Sequence, residues 1–199
     1  MYIFKIIATV ILSYLLGCLS LSIFLSNRLL GKDIRSCGSG NAGATNMARV
    51  YGLKMGLLTL LADAAKAVAA MLIGSFLLGE DGLCLAGCMC LIGHCFPAFH
   101  NFRGGKGVSV GAAIVFFIDV RAGLISAAVF FLAAVLSKRV SLGSVCAAVS
   151  IFISSLLLGL STPKVILALF TMITVVARHK ENIKRLINGT EPAFKAGGK

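Results

Sequence analysis

Gly93-His94-Cys95-Phe96-Pro97 leads into Arg103-Gly104-Gly105-Lys106-Gly107-Val108, a basic, glycine-rich loop between two strongly apolar stretches. Glycines let backbone N–H groups approach a ligand closely, and Arg103 and Lys106 supply the charge that a phosphate demands. Charge placed this near hydrocarbon is costly and marks a site. A second loop, Ser36 to Arg49, carries Gly38, Gly40 and Gly43 among Ser39, Asn41, Thr45 and Asn46, and ends in Arg49. Read as a flexible loop of small hydroxyl and amide side chains beside a guanidinium, it suits an oxyanion or a phosphate. Its glycines satisfy GxGxxG literally, with Asp63 at the acidic offset. A dinucleotide fold is nevertheless excluded, because no strand precedes the glycines and Asp63 sits in a hydrophobic helix.

The elements that must hold these loops are transmembrane helices. Of 199 residues, 58% are apolar and none is tryptophan, and the mean hydropathy is +0.98. This composition belongs to an all-α, polytopic membrane protein, here one domain spanning 1–199. The net charge of +12 would suggest nucleic acid in a soluble chain. Here the basic residues flank apolar segments and meet lipid headgroups, and the aromatic interleaving that stacks bases is missing. No nucleic-acid partner is expected.

Apolar stretches run over 3–26, 53–78, 83–99, 108–120, 122–137, 142–160 and 163–177. A crossing needs about 20 residues, so the reading is seven transmembrane helices with the fourth and fifth short; five spans plus a re-entrant pair is the alternative. Arg28, Lys32, Arg35, Arg49 and Lys54 lie in the first loop, Arg103 and Lys106 in the third, and Lys138 and Arg139 in the fifth. Arg178, Lys180, Lys184 and Arg185 follow the last span, whereas the opposite loops hold Glu80, Asp81, Asp119, Arg121 and Lys164. The positive-inside rule then puts the N-terminus outside, the C-terminus in the cytoplasm and both glycine loops on the cytoplasmic face.

Asp63 and Lys66 lie three apart on one face of the second span, deep enough that they should pair with each other or with polar loop groups. A supporting role is favoured over direct catalysis. Residues 178–187 place Ile183, Leu186 and Ile187 together, as an interfacial amphipathic helix or a plain topogenic tail would. The seven cysteines lack zinc-type CxxC pairs and read as small hydrophobes, so no metal is expected. Leu15-Leu16-Gly17-Cys18 imitates a lipoprotein cleavage site, but the apolar run continues to Leu25 and a retained span is the better reading. The sequon at Asn188-Gly189-Thr190 lies on the expected cytoplasmic side and is set aside.

Together the motifs resemble the bacterial membrane acyltransferases that move a fatty acyl group from acyl phosphate to glycerol 3-phosphate, over nearly the whole chain. Ser39-Gly40-Asn41 through Gly43-Ala44-Thr45-Asn46 and Arg49 resembles the family's first motif, and Asp63-x-x-Lys66 its second. Gly93-His94-x-Phe96-Pro97 through Gly104-Gly105-Lys106-Gly107-Val108 resembles the third. Arg178-His179-x-x-Asn182-Ile183-x-Arg185-Leu186-x-x-Gly189-x-Glu191 is similar to the C-terminal signature. Ala42, Ala67, Arg103 and Ser109-Val110 depart mildly from the first three motifs, standing where proline, glycine, lysine and alanine-threonine are usual.

The resemblance implies catalytic roles for Lys106, Ser39, Arg49 and His179. It implies substrate binding by Gly40, Asn41, Gly43, Thr45, Asn46, His94, Arg103, Gly104, Gly105, Gly107, Asn182 and Arg185, with Asp63, Lys66 and Glu191 in support. It further implies lysophosphatidic acid as product, the bacterial inner membrane as location, no cofactor, and functional coupling to an enzyme that makes acyl phosphate.

The residues suit that chemistry independently. An acyl phosphate is already activated, so the enzyme must hold two phosphates, align a hydroxyl and stabilise developing charge, with no acyl-enzyme nucleophile. No Ser-His-Asp set is recognisable. His-x-x-x-x-Asp, the signature of thioester-dependent acyltransferases, is absent because Phe99 and Gly105 occupy the aspartate positions after His94 and His100. With no carboxylate expected near the phosphate loops, the proton on the attacking hydroxyl passes either to His179 or to a substrate phosphate, the latter preferred. A transporter or flippase component is the alternative from another class, but no internal repeat supports it.

Overall fold

The computed structural model describes residues 1–195. Nine α-helices occupy them: α1 (Tyr2–Cys18), α2 (Leu21–Leu29), α3 (Ala44–Tyr51), α4 (Leu53–Cys95), α5 (Val108–Ile118), α6 (Val120–Ser137), α7 (Val140–Leu157), α8 (Thr162–Arg178) and α9 (Lys180–Ile187). There is no strand among the described residues. Helix runs through all seven apolar stretches. By length and composition four helices are fit to cross a membrane, or five if α8 and α9, bent by 61°, form one span.

Three boundaries differ from the sequence reading, each for a local reason. The first apolar run breaks at Leu19 and Ser20, where Leu19 turns extended and the Ser20 hydroxyl caps α2. The fifth segment is longer than expected, because Asp119 caps α6 through the N–H groups of Arg121 and Ala122 and starts the helix at Val120. Its 18 residues pass as a span, and α5, with eleven, is the short one. The third difference lies in the first basic loop. Residues 44–49, read as part of a flexible loop, lie in α3.

α4 is a hairpin. Leu78 and Gly79 leave helical geometry, Gly79 at φ 65°, and the second arm folds back on the first so that Gly74 meets Gly82 and Met71 meets Gly87. α1 packs into this hairpin where Gly17 lies against the backbone of Cys90, and Gly93 against Tyr14 and Cys18. Small residues permit this backbone-to-backbone approach, which supplies the van der Waals contact that membrane helices rely on. The core of Met71, Leu91, Ile114 and Leu167 joins α4, α5 and α8. Leu57, Leu61, Leu72, Phe76, Phe131 and Leu132 stay exposed around the outside, as a hydrocarbon-facing surface would.

Candidate active site

At the C-terminal end of α4 the chain must reverse without losing its hydrogen bonds. Phe102 N–H donates to the Pro97 carbonyl, Gly104 N–H to Cys95 and Gly105 N–H to His94. These bonds lay the glycine run flat on the end of α4. At Gly105 a side chain would overlap the His94 ring, and Gly107 sits at φ 83° as the cap of α5, a conformation that glycine adopts freely. Arg178 clamps the run from the far side: its guanidinium donates to the Gly104 and Gly105 carbonyls and stacks 5.0 Å from the Phe96 ring centre. The loop thereby delivers Lys106 to the mouth of a cavity of about 350 Å³.

The first motif is positioned by Asn46. Its Oδ1 accepts from Ser39 N–H at 2.8 Å, and its Nδ2 lies within reach of the carbonyls of Ile34, Cys37 and Asn41 at 3.2, 3.0 and 3.0 Å. Among the residues expected to bind substrate, Asn46 has its side chain turned to the loop. Its amide is consumed in folding the loop, although its edge still lines the cavity. Gly43 starts α3, a helix of about two turns that aims Thr45 and Arg49 at the same space as Ser39 and Asn41.

The third contribution comes from the junction of α8 and α9. His179 is buried, its Nδ1 2.7 Å from the Val175 carbonyl. A carbonyl can only accept, so Nδ1 carries the proton and Nε2 the free lone pair. Burial pushes the ring down to about 4, leaving it neutral through the physiological range. Lys106 Nζ donates to Asn182 Oδ1. Asn182 Nδ2, Ser141 Oγ and Arg185 Nε each donate to the Glu191 carboxylate at 2.7 Å. Burial would raise Glu191, but these three donors outweigh it and hold the carboxyl below its ordinary value. Burial of Lys106 pushes its ammonium down to about 8. Glu191 thus lines the cavity beside Lys106, which corrects the expectation that no carboxylate stands near the phosphate loops.

The cavity has two halves. At the polar end stand Ser39, Asn41, Gly43, Thr45, Arg49, His94, Lys106, Gly107, His179, Asn182, Arg185 and Glu191. From there an apolar slot runs between α5, α6 and α7, past Val115, Phe116, Ala127, Phe130, Ala148 and Ile151. Four expected ligands lie elsewhere. Gly40, Arg103 and Gly104 line a neighbouring surface cleft with Arg35 and Arg178, and Gly105 packs against the His94 ring beneath it. The chain turns over at Asn101 and Phe102, both at φ 55°, and Arg103 after them lines the outer cleft while Lys106 lines the cavity.

Asp63 and Lys66 meet as expected, Nζ to Oδ1 at 2.9 Å, both buried. Lys66 also donates to the carbonyls of Gly17 and Leu19, and reaches His94 Nδ1 at 3.1 Å. The pair therefore ties the break after α1 to the histidine under the glycine loop. Sequence reasoning missed Arg178 as the loop's clamp and Ser141 as the Glu191 donor. The first stood inside the C-terminal motif, but no signal distinguished the serine.

An aligned set of cations and amides opening onto an apolar slot fits an anionic amphiphile. Residues 7–189 match the family model described as glycerol-3-phosphate acyltransferase. The chain belongs to the glycerol-3-phosphate acyltransferase family. Among relatives of that name, one from Clostridioides difficile is 42% identical over 200 residues, covering 96% of each chain. Another, from Thermoanaerobacter pseudethanolicus, is 39% identical over 185 residues and covers 93% of each. The fold matches crystal structures of PlsY, an integral membrane glycerol 3-phosphate acyltransferase. Its glycerol 3-phosphate form has a TM-score of 0.90 at 34% identity, covering 96% of both chains. Its lysophosphatidic acid form has a TM-score of 0.87 at 32% identity, covering 96% of this chain and 95% of that one.

Proposed function

We propose that the protein transfers a fatty acyl group from acyl phosphate to glycerol 3-phosphate, giving 1-acyl-glycerol 3-phosphate and phosphate. The observation that carries the reading is the single cavity whose cationic, amide-rich head continues into an apolar slot. One end suits two phosphates and the other a fatty chain. The glycerol hydroxyl oxygen attacks the acyl carbonyl carbon, the bond to the phosphate oxygen breaks and phosphate departs, and the hydroxyl proton passes to a substrate phosphate. Lys106, Arg49 and Arg185 hold phosphate oxygens, while Ser39, Asn41, Thr45 and the Gly43 and Gly107 backbone shape the pocket around them. His94, Asp63 and Lys66 brace the loop, and Glu191 orients Asn182 and Arg185.

In this reading the chain is a bacterial inner-membrane enzyme of seven transmembrane segments. Its N-terminus is outside, and its C-terminus and active site are cytoplasmic, with basic loops on one face as support. It uses no cofactor, and its labile donor calls for coupling to an acyl-phosphate-forming enzyme. Purified protein is expected to release phosphate from acyl phosphate plus glycerol 3-phosphate, to be inert with acyl-CoA or acyl carrier protein, and to tolerate chelators. Robust turnover on a purified thioester would sink the acyl-phosphate assignment.

A neutral His179 near 4 is a weak base, whereas a phosphate monoester with a second pKa of about 6 is a better one. His179 then holds the hydroxyl through Nε2, and substrate takes the proton. His179→Gln is expected to raise KM for glycerol 3-phosphate while an acidic limb near pH 6 persists. A collapse of kcat with loss of the acidic limb would make His179 the base. At the alkaline side, Lys106 is cationic below about 8 and neutral above it, so kcat/KM should fall as pH rises through that value. In kcat the limb should move higher, because bound phosphate favours the charged lysine.

A further inference from the structure

α9 has two working faces. Asn182 and Arg185 point into the cavity, while Lys180, Ile183, Lys184 and Ile187, spaced i, i+3, i+4 and i+7, share the opposite side. That side, with Val176 and Ala177 at the end of α8, forms a groove of about 450 Å³. Its floor is apolar and Ile187 is 80% exposed. Two ammonium groups stand at its rim, and no carboxylate lines it among the described residues. The 61° bend at His179 turns α9 away from the axis of α8, as an interfacial helix must turn.

We propose that this groove binds an anionic phospholipid of the surrounding bilayer, whose occupancy seats the helix that carries Asn182 and Arg185. A free phosphate would use the lysines and leave four apolar side chains in water, whereas a bilayer lipid satisfies both. Binding rests on the groove alone; its effect on glycerol 3-phosphate rests on the proposed acyl transfer. The test compares purified protein in detergent micelles doped with phosphatidylglycerol or with phosphatidylcholine, reading the thermal midpoint first and KM second. Phosphatidylglycerol should raise the midpoint in a dose-dependent way and lower KM for glycerol 3-phosphate. Lys180→Gln/Lys184→Gln should weaken the apparent lipid affinity about fivefold per lysine, and Lys180→Arg/Lys184→Arg should keep it. Equal effects of the two lipids on wild type, or a glutamine variant with undiminished response, would overturn the site. So would inorganic phosphate reproducing the same lysine-dependent shift. The thermal readout needs no turnover, so a failed acyl-transfer assignment remains distinguishable from a failed lipid site.

Discussion

Replacing Lys106 with alanine is expected to lower kcat/KM for glycerol 3-phosphate by about 10²–10³, the range seen when one donor to a developing oxyanion is removed. The expectation comes from how the lysine is held. Its backbone is fixed by a glycine run bonded to the end of α4 and clamped by Arg178, and its ammonium is anchored on Asn182. An ammonium has three protons, and Asn182 takes one, so two remain for ligand. Losing it removes one of the cations that line the polar head of the cavity, and also leaves Asn182 Oδ1 without its partner. Initial rates at varied glycerol 3-phosphate, with a thermal melt to verify folding, measure the effect. A folded Lys106→Ala protein with near-normal turnover at saturating substrate would remove the loop from the active site.

The helical framework was legible because membrane-grade hydrophobicity is a strong, long-range signal. All seven apolar stretches contain helix, and the turn between the second and third falls at Leu78 and Gly79. Boundaries were lost where one side chain decides them. Asp119 reads from sequence as a loop charge, yet its carboxylate caps α6. Ser20 sits inside an unbroken apolar run, and only its hydroxyl and the extended Leu19 divide α1 from α2. α3 was hidden for a similar reason: residues 38–46 are rich in glycine and asparagine, and the helix follows a loop that the Asn46 side chain pins.

Site residues were legible as types and less so as roles. The sequence brings cations, amides and glycines to one face, and most of them line one cavity. It does not say which donors the fold itself consumes. Asn46 is consumed; Arg103, after two left-handed residues, lines the outer cleft. Glu191 presents the converse case. Near the chain's end in a basic tail it reads as support, but nothing in the sequence shows that Ser141 from α7, and Asn182 and Arg185 from α9, converge on it inside the cavity. A contact between residues 50 apart leaves no periodic trace.

The second large effect should fall on stability, at the buried pair. Lys66→Met is expected to cost about 3–5 kcal/mol, the usual result of stranding one member of a buried ion pair. The two partners are not equivalent. With Asp63 neutralised, the Lys66 ammonium still has the Gly17 and Leu19 carbonyls and His94 Nδ1. With Lys66 gone, the Asp63 carboxylate keeps only His94, at 3.5 Å from Oδ1, and its Oδ2 has no hydrogen bond among the described residues even in the intact protein. Asp63→Asn should therefore be milder than Lys66→Met. Combining Lys66→Met with Asp63→Leu should recover part of the loss, since no buried charge is then left unpaired. Because His94 packs under Gly105, activity should fall with stability in Lys66→Met and stay low in the double variant, where the tie between α1 and the loop is still missing. Thermal midpoints of the three proteins in one detergent give the order. If Asp63→Asn proved as damaging as Lys66→Met, or the double variant less stable than either single, the pair would not be held together as the geometry requires.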